Sequence, residues 1–121
     1  MALAKDIMGG GFSAGQAQAI QGQVAPTVTA AGTNQGTAFA LQASINYLST
    51  VAASTGVILP SVPIGDSVDV FNGGANACVV YPPTGGKINQ VATNGGVNCP
   101  TNTWMVFKKV TSTQWIAMQS A

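Results

Sequence analysis

From Thr27 onward the chain repeats one kind of pattern: short runs rich in Val, Thr, Ile and aromatic residues, cut at close intervals by Gly, Pro or Asn. The runs are TVTAAG from Thr27, SINYLSTV from Ser44, GVILP from Gly56, DSVDVFN from Asp66, CVVYPP from Cys78, KIN from Lys87, GVNC from Gly96, TWMVFKKV from Thr103 and QWIAMQ from Gln114. Each reads as a strand, and strands at this spacing predict an all-β domain over residues 27–121. In DSVDVFN, Val68 and Val70 alternate with Asp69, so one face is buried and the other wet. In TWMVFKKV, Trp104 and Val106 fall on one face and Met105 and Phe107 on the other. A strand that is apolar on both sides belongs in the middle of a sheet or at a subunit interface. QWIAMQ shares that character and completes a C-terminal hairpin through the turn at Thr111-Ser112-Thr113. Trp104, Met105, Phe107 and Trp115 are therefore the candidate core or interface residues.

Residues 1–26 are built differently and predict an N-terminal arm. Their only ionic side chains are Lys5 and Asp6, followed by the hinge Gly9-Gly10-Gly11. SAGQAQAIQG has a cap at Ser13 and a stop at Gly22, enough for one or two helical turns and too short for a stable isolated helix. Ile7, Met8 and Phe12 stand beside glycines, the composition of a segment that orders on a partner's surface, and they are the candidate contact residues. Asp6 and the glycines interrupt any signal-peptide core, and no segment has the roughly 18 uninterrupted apolar residues of a membrane helix. The expectation is synthesis in a cytoplasm, with no membrane partner.

TGGK at Thr84–Lys87 invites comparison with a phosphate-binding loop. That loop needs a glycine five positions before Gly86, where Tyr81 stands, and a Ser or Thr after the lysine, where Ile88 stands. The alternative reading is a turn. Asn72-Gly73-Gly74 and Asn94-Gly95-Gly96 are Asn-Gly turn signals. Pro82-Pro83 ends the strand before it, and Thr84-Gly85-Gly86 is expected to reverse the chain so that KIN runs back along it.

Composition narrows the function. Charged residues are 6% of the chain against 46% hydrophobic, where about 25% charge is usual. So little charge leaves neutral surface that associates unless a partner covers it. There is no histidine, and the carboxylate side chains are Asp6, Asp66 and Asp69. With that inventory, general acid/base and nucleophilic catalysis lack their usual groups, so no catalytic residues, cofactor or metal are expected. A net charge of +1 from Lys5, Lys87, Lys108 and Lys109 offers no cationic cluster for nucleic acid. Cys78 and Cys99 are read as free thiols in a reducing compartment, with a bridge between CVVY and GVNC as the open alternative.

The run STGVILPSVPIGDSVDVFNGGANACVVYPPTGGKIN, residues 54–89, resembles a domain common in small structural proteins of tailed bacteriophages. The likeness extends through TAAGTNQGTAFALQASINYLSTV before it and the Trp-containing hairpin after it, and MALAKDIMGGG is similar to the starts of such proteins. The resemblance implies an antiparallel, jelly-roll-like β-sandwich with an extended arm. It also implies a homotrimer that binds the major capsid protein on the head as a cement or decoration protein. Similar domains in tail fibres and baseplates give the alternative, a fibre or baseplate module that could bind a receptor. No catalytic residues come with it.

Overall fold

The computed structural model describes residues 23–120. Among them are ten strands and no helix: β1 (Val24–Thr29), β2 (Phe39–Ala40), β3 (Ile45–Thr50), β4 (Gly56–Ile58), β5 (Ser67–Asn72), β6 (Cys78–Tyr81), β7 (Lys87–Ile88), β8 (Val97–Cys99), β9 (Thr103–Lys109) and β10 (Gln114–Gln119). Residues 23–120 are thus all-β. β1 opens at Val24, so the last residues of the segment expected as an arm lie in a sheet. The segment holding Ile7, Met8 and Phe12 lies outside the described residues.

The strands form two sheets, ordered β1-β3-β5-β9-β10-β7 and β2-β4-β6-β8. As far as β9 the chain changes sheet at every strand. Consequently β1, β3 and β5 lie side by side and parallel, and β2, β4 and β6 do the same opposite them. This is the winding of a short two-sheeted β-solenoid, one circuit taking roughly twenty residues, at the low end for stacked repeats. Antiparallel strand pairing enters at the end, where β8 joins β6, β9 joins β5 and β10 joins β9.

The antiparallel jelly-roll expectation is thus corrected to mixed sheets. The cause lies in the connections, which turn a corner into the opposite sheet instead of folding back in a hairpin. After β3, Thr55 N–H donates to the Ala52 carbonyl at 3.3 Å, and Ser54 takes a φ of 63°. After β4, Asp66 N–H reaches the Pro63 carbonyl at 3.2 Å, with Gly65 at φ 98°. The turn at residues 83–86 works likewise, Gly86 N–H meeting the Pro83 carbonyl at 2.8 Å. It sends β7 across to pair in parallel with β10, not back along β6 as the turn chemistry suggested.

Inward side chains of both sheets meet in one core. Leu48, Val68, Val70, Met105, Phe107 and Trp115 come from the larger sheet, and Val57, Val80, Cys78 and Cys99 from the smaller. A fully buried aliphatic or aromatic side chain contributes about 1.5–3 kcal/mol of transfer free energy, so this cluster is what binds the sheets together. β5 is buried at Val68, Val70 and Asn72 and outward at Asp69 and Phe71, in the alternation the sequence predicted. β9 lies inside the larger sheet, between β5 and β10.

Asn72 ends β5 and is fully buried. Its Nδ2 donates to the Asn76 carbonyl at 2.8 Å and to the Cys99 carbonyl at 3.0 Å, while its Oδ1 accepts the Gly74 N–H at 2.9 Å. One amide therefore ties the loop after β5 to β8 in the other sheet. The Asn-Gly signal here marks a side-chain-closed turn. A Cβ on Gly73 would stand 2.5 Å from the Tyr47 hydroxyl, so any other residue there would displace the tip of that ring. At the free edge, β1 carries Pro26 and its register against β3 slips between Ala25 and Val28.

Asn72→Asp would remove two buried donors and aim carboxylate oxygens at two carbonyls. We expect a loss of about 3 kcal/mol or more in urea unfolding. A loss below 1 kcal/mol would show that the amide is not a tie between the sheets.

Candidate functional site

Alternation that turns Val68, Val70, Met105 and Phe107 inward turns their neighbours outward, and on the larger sheet these include Phe71, Trp104 and Val106 beside the polar Ser67, Asp69 and Lys108. Register arranges them in rows across the strands. Tyr47 on β3 stands beside Phe71 on β5, and Phe71 beside Trp104 on β9. The next row runs Ile45, Asp69, Val106, Met118. The third runs Ser67, Lys108, Ile116.

The aromatic row is coupled ring to ring. Tyr47 and Phe71 stack with centroids 5.6 Å apart and planes 8° from parallel, and Phe71 meets Trp104 edge-on at 6.0 Å. Pairs in this range are worth about 0.5–1.5 kcal/mol each beyond the area they bury. Trp104 Nε1–H donates to Asp69 Oδ2 at 3.1 Å across the diagonal between β9 and β5. Asp69 is fixed from behind as well, since the buried Asn46 on β3 donates its Nδ2 to the Asp69 carbonyl at 3.2 Å. Ile45, Tyr47, Asp69, Phe71 and Trp104 surround a shallow cavity of about 300 Å³. Adjoining hollows run on past Val106 and Met118 to Ile116 and Val110.

The structure separates the four residues expected as core or interface. Met105, Phe107 and Trp115 are in the core, whereas Trp104 is 44% exposed on the outer face. Tyr47 is equally open at 42%, and Met118 more so. Tyr47, Phe71 and Asp69 did not stand out in the sequence as a site. The parity of Trp104 in its strand was the available signal, but which strands flank it was not.

Cys78 and Cys99 are register partners on β6 and β8, both free and both buried. Burial, then the neighbouring Cys99 sulfur, pushes the Cys78 thiol up to about 12, against a hydrogen bond from the Val57 backbone. Burial pushes Cys99 up to about 11, against one from the Asn72 backbone. Both thiols are thus poor nucleophiles in the folded protein. Among the described residues no cluster of three or more His, Cys, Asp or Glu is placed to hold a metal ion. No family model, no curated protein and no solved structure matches this chain.

The raised thiols give a pH dependence of defined sign. Their folded values lie above the unfolded value near 9, so between pH 9 and about 11–12 the native state holds more protons. Their contribution is complete below pH 9 and is lost as pH rises through that window. Urea midpoints of the wild type should fall more steeply above pH 9 than those of a Cys78→Ala/Cys99→Ala double variant, which retains the same lysines and tyrosines. Two thiols should react with a maleimide in denaturant and neither at pH 7 in the folded state.

Proposed function

We propose that this chain is a non-enzymatic structural protein of a tailed-phage virion, a cement or decoration protein that coats the head by binding its major capsid protein. The observation that carries the reading is the outward apolar face of the larger sheet, on a chain with only 6% charged residues. The sequence resemblance gives that surface its setting, with synthesis in the host cytoplasm and residence on the head.

Magnitudes favour attachment through several contacts. Four strands about 4.8 Å apart, carrying three outward rows about 6.8 Å apart, make a face of roughly 400 Å². A stable two-protein interface takes about 800 Å² per partner, so this face alone is half of one. A homotrimer supplies three such faces, and the segment before Gln23 adds contact to each. Linked contacts raise overall affinity without any strong single one. A protein that binds only the assembled shell stabilises it by linkage, about 2.7 kcal/mol per site at 100 times its dissociation constant.

The half-exposed Tyr47 and Trp104 favour a second reading, a tail-fibre or baseplate module, because aromatic rings beside a carboxylate are also how a receptor-binding tip is built. Purified heads and tails of the virion separate the two. The chain should migrate with heads, added protein should co-sediment with shells emptied of it, and light scattering should give a trimer. A chain found only on tails, or a monomer that ignores shells, overturns the proposal.

A further inference from the structure

Cys78 and Cys99 stand opposite each other on neighbouring antiparallel strands, and both are buried in the core. Their side chains therefore leave the same face of the smaller sheet at the same level. Directly opposed residues of an antiparallel pair have Cα atoms about 4.5 or 5.5 Å apart, inside the span of about 4.4–6.8 Å that a disulfide bridges. In the structure each thiol sits beside a backbone carbonyl, Cys78 Sγ 3.7 Å from that of Val79 and Cys99 Sγ 3.5 Å from that of Thr103. A thiol is a weak donor, so turning the two sulfurs toward each other gives up little. Two cysteines are only half the ligand set of a structural zinc site, and among the described residues no group of three such ligands forms. Sulfur–sulfur chemistry is what the pairing suits.

We infer that Cys78 and Cys99 form an oxidation site: reduced when the chain is made, they close into an intrachain disulfide between β6 and β8 on meeting a small-molecule disulfide. Access comes through β8, a three-residue strand at the border of the smaller sheet, with Gly95-Gly96 before it and Pro100 after it. A short border strand opens locally at less cost than global unfolding. In the open state one cysteine, as thiolate, attacks a sulfur of the oxidant, forming a mixed disulfide and releasing one small thiolate. The other cysteine attacks the protein sulfur of that mixed disulfide and expels the second small thiolate, and β8 closes over the new bond. Two protein S–H groups and one small disulfide thus become one protein disulfide and two small thiols, the two protons passing to the leaving thiolates. The bridge closes a loop of about 20 residues, which restricts the unfolded chain and stabilises the folded one. It also adds a covalent tie where the Asn72 amide already holds the Cys99 carbonyl. A particle meets such oxidants once outside the reducing cell, and for that timing alone the inference rests on the proposed function.

The reduced full-length protein, folded, would be incubated with oxidised glutathione and quenched with acid at intervals. The expected product is a chain lighter by two hydrogens that runs as a monomer on a non-reducing denaturing gel. In denaturant it should take up no maleimide, where the reduced chain takes up two. Its melting temperature should rise by at least about 5 °C, and reduction should reverse the rise. The Cys78→Ala/Cys99→Ala double variant, treated the same way, should melt unchanged, which assigns the shift to the bridge. Thiols that stay free, a lasting glutathione adduct, bridges between chains, or a bridged chain that melts no higher would each overturn the inference and leave the two cysteines as small core residues. Head attachment is scored separately, so a chain that bridges with glutathione but is found on no head refutes the head reading and leaves the oxidation site standing.

Discussion

Everything in this molecule depends on one packing constraint: Phe107 and Trp115 of the larger sheet and Val57 and Val80 of the smaller share a single buried layer. Successive strands up to β9 belong to opposite sheets, so no hairpin holds consecutive strands together there. Each circuit is fixed sideways by backbone pairing with the circuit before it and inward by that shared layer. Asn72 adds the polar counterpart, an amide spanning the core whose buried hydrogen-bonding atoms all find partners.

Strand existence was legible because alternation is a property of one strand and its two faces. DSVDVFN and TWMVFKKV show it residue by residue, and the structure keeps the parity of both. Strand direction was not legible. Val68 and Val70 point inward whether β5 has a parallel or an antiparallel neighbour, so nothing in that run reports that β3 lies parallel to it. The phage resemblance suggested a jelly roll, and the Gly-rich corners that would have argued against it also read as reversals. β2 escaped notice because Phe39 and Ala40 are two exposed residues with no alternation to display.

The candidate site was half visible. Trp104 could be assigned to the face opposite Met105 and Phe107, but its partners Tyr47 and Phe71 reach it only through two strand registers set by the winding. Low charge made an uncovered surface predictable without locating it. The structure locates a largely apolar face by bringing Ile45 and Tyr47 of β3, Phe71 of β5, Trp104 and Val106 of β9 and Ile116 and Met118 of β10 side by side around Asp69.

The edge at β1 has a further meaning. An unprotected edge strand is a template on which another chain can continue the sheet, and repeated continuation gives a filament without limit. Pro26 withdraws one backbone donor from this edge, and the slipped register between Ala25 and Val28 disturbs its straight run of pairing groups. At the opposite border β7 offers only two residues. Copies of this chain are thereby steered away from joining rim to rim. A flat side, unlike a rim, offers no row of unpaired backbone groups on which a further strand could grow.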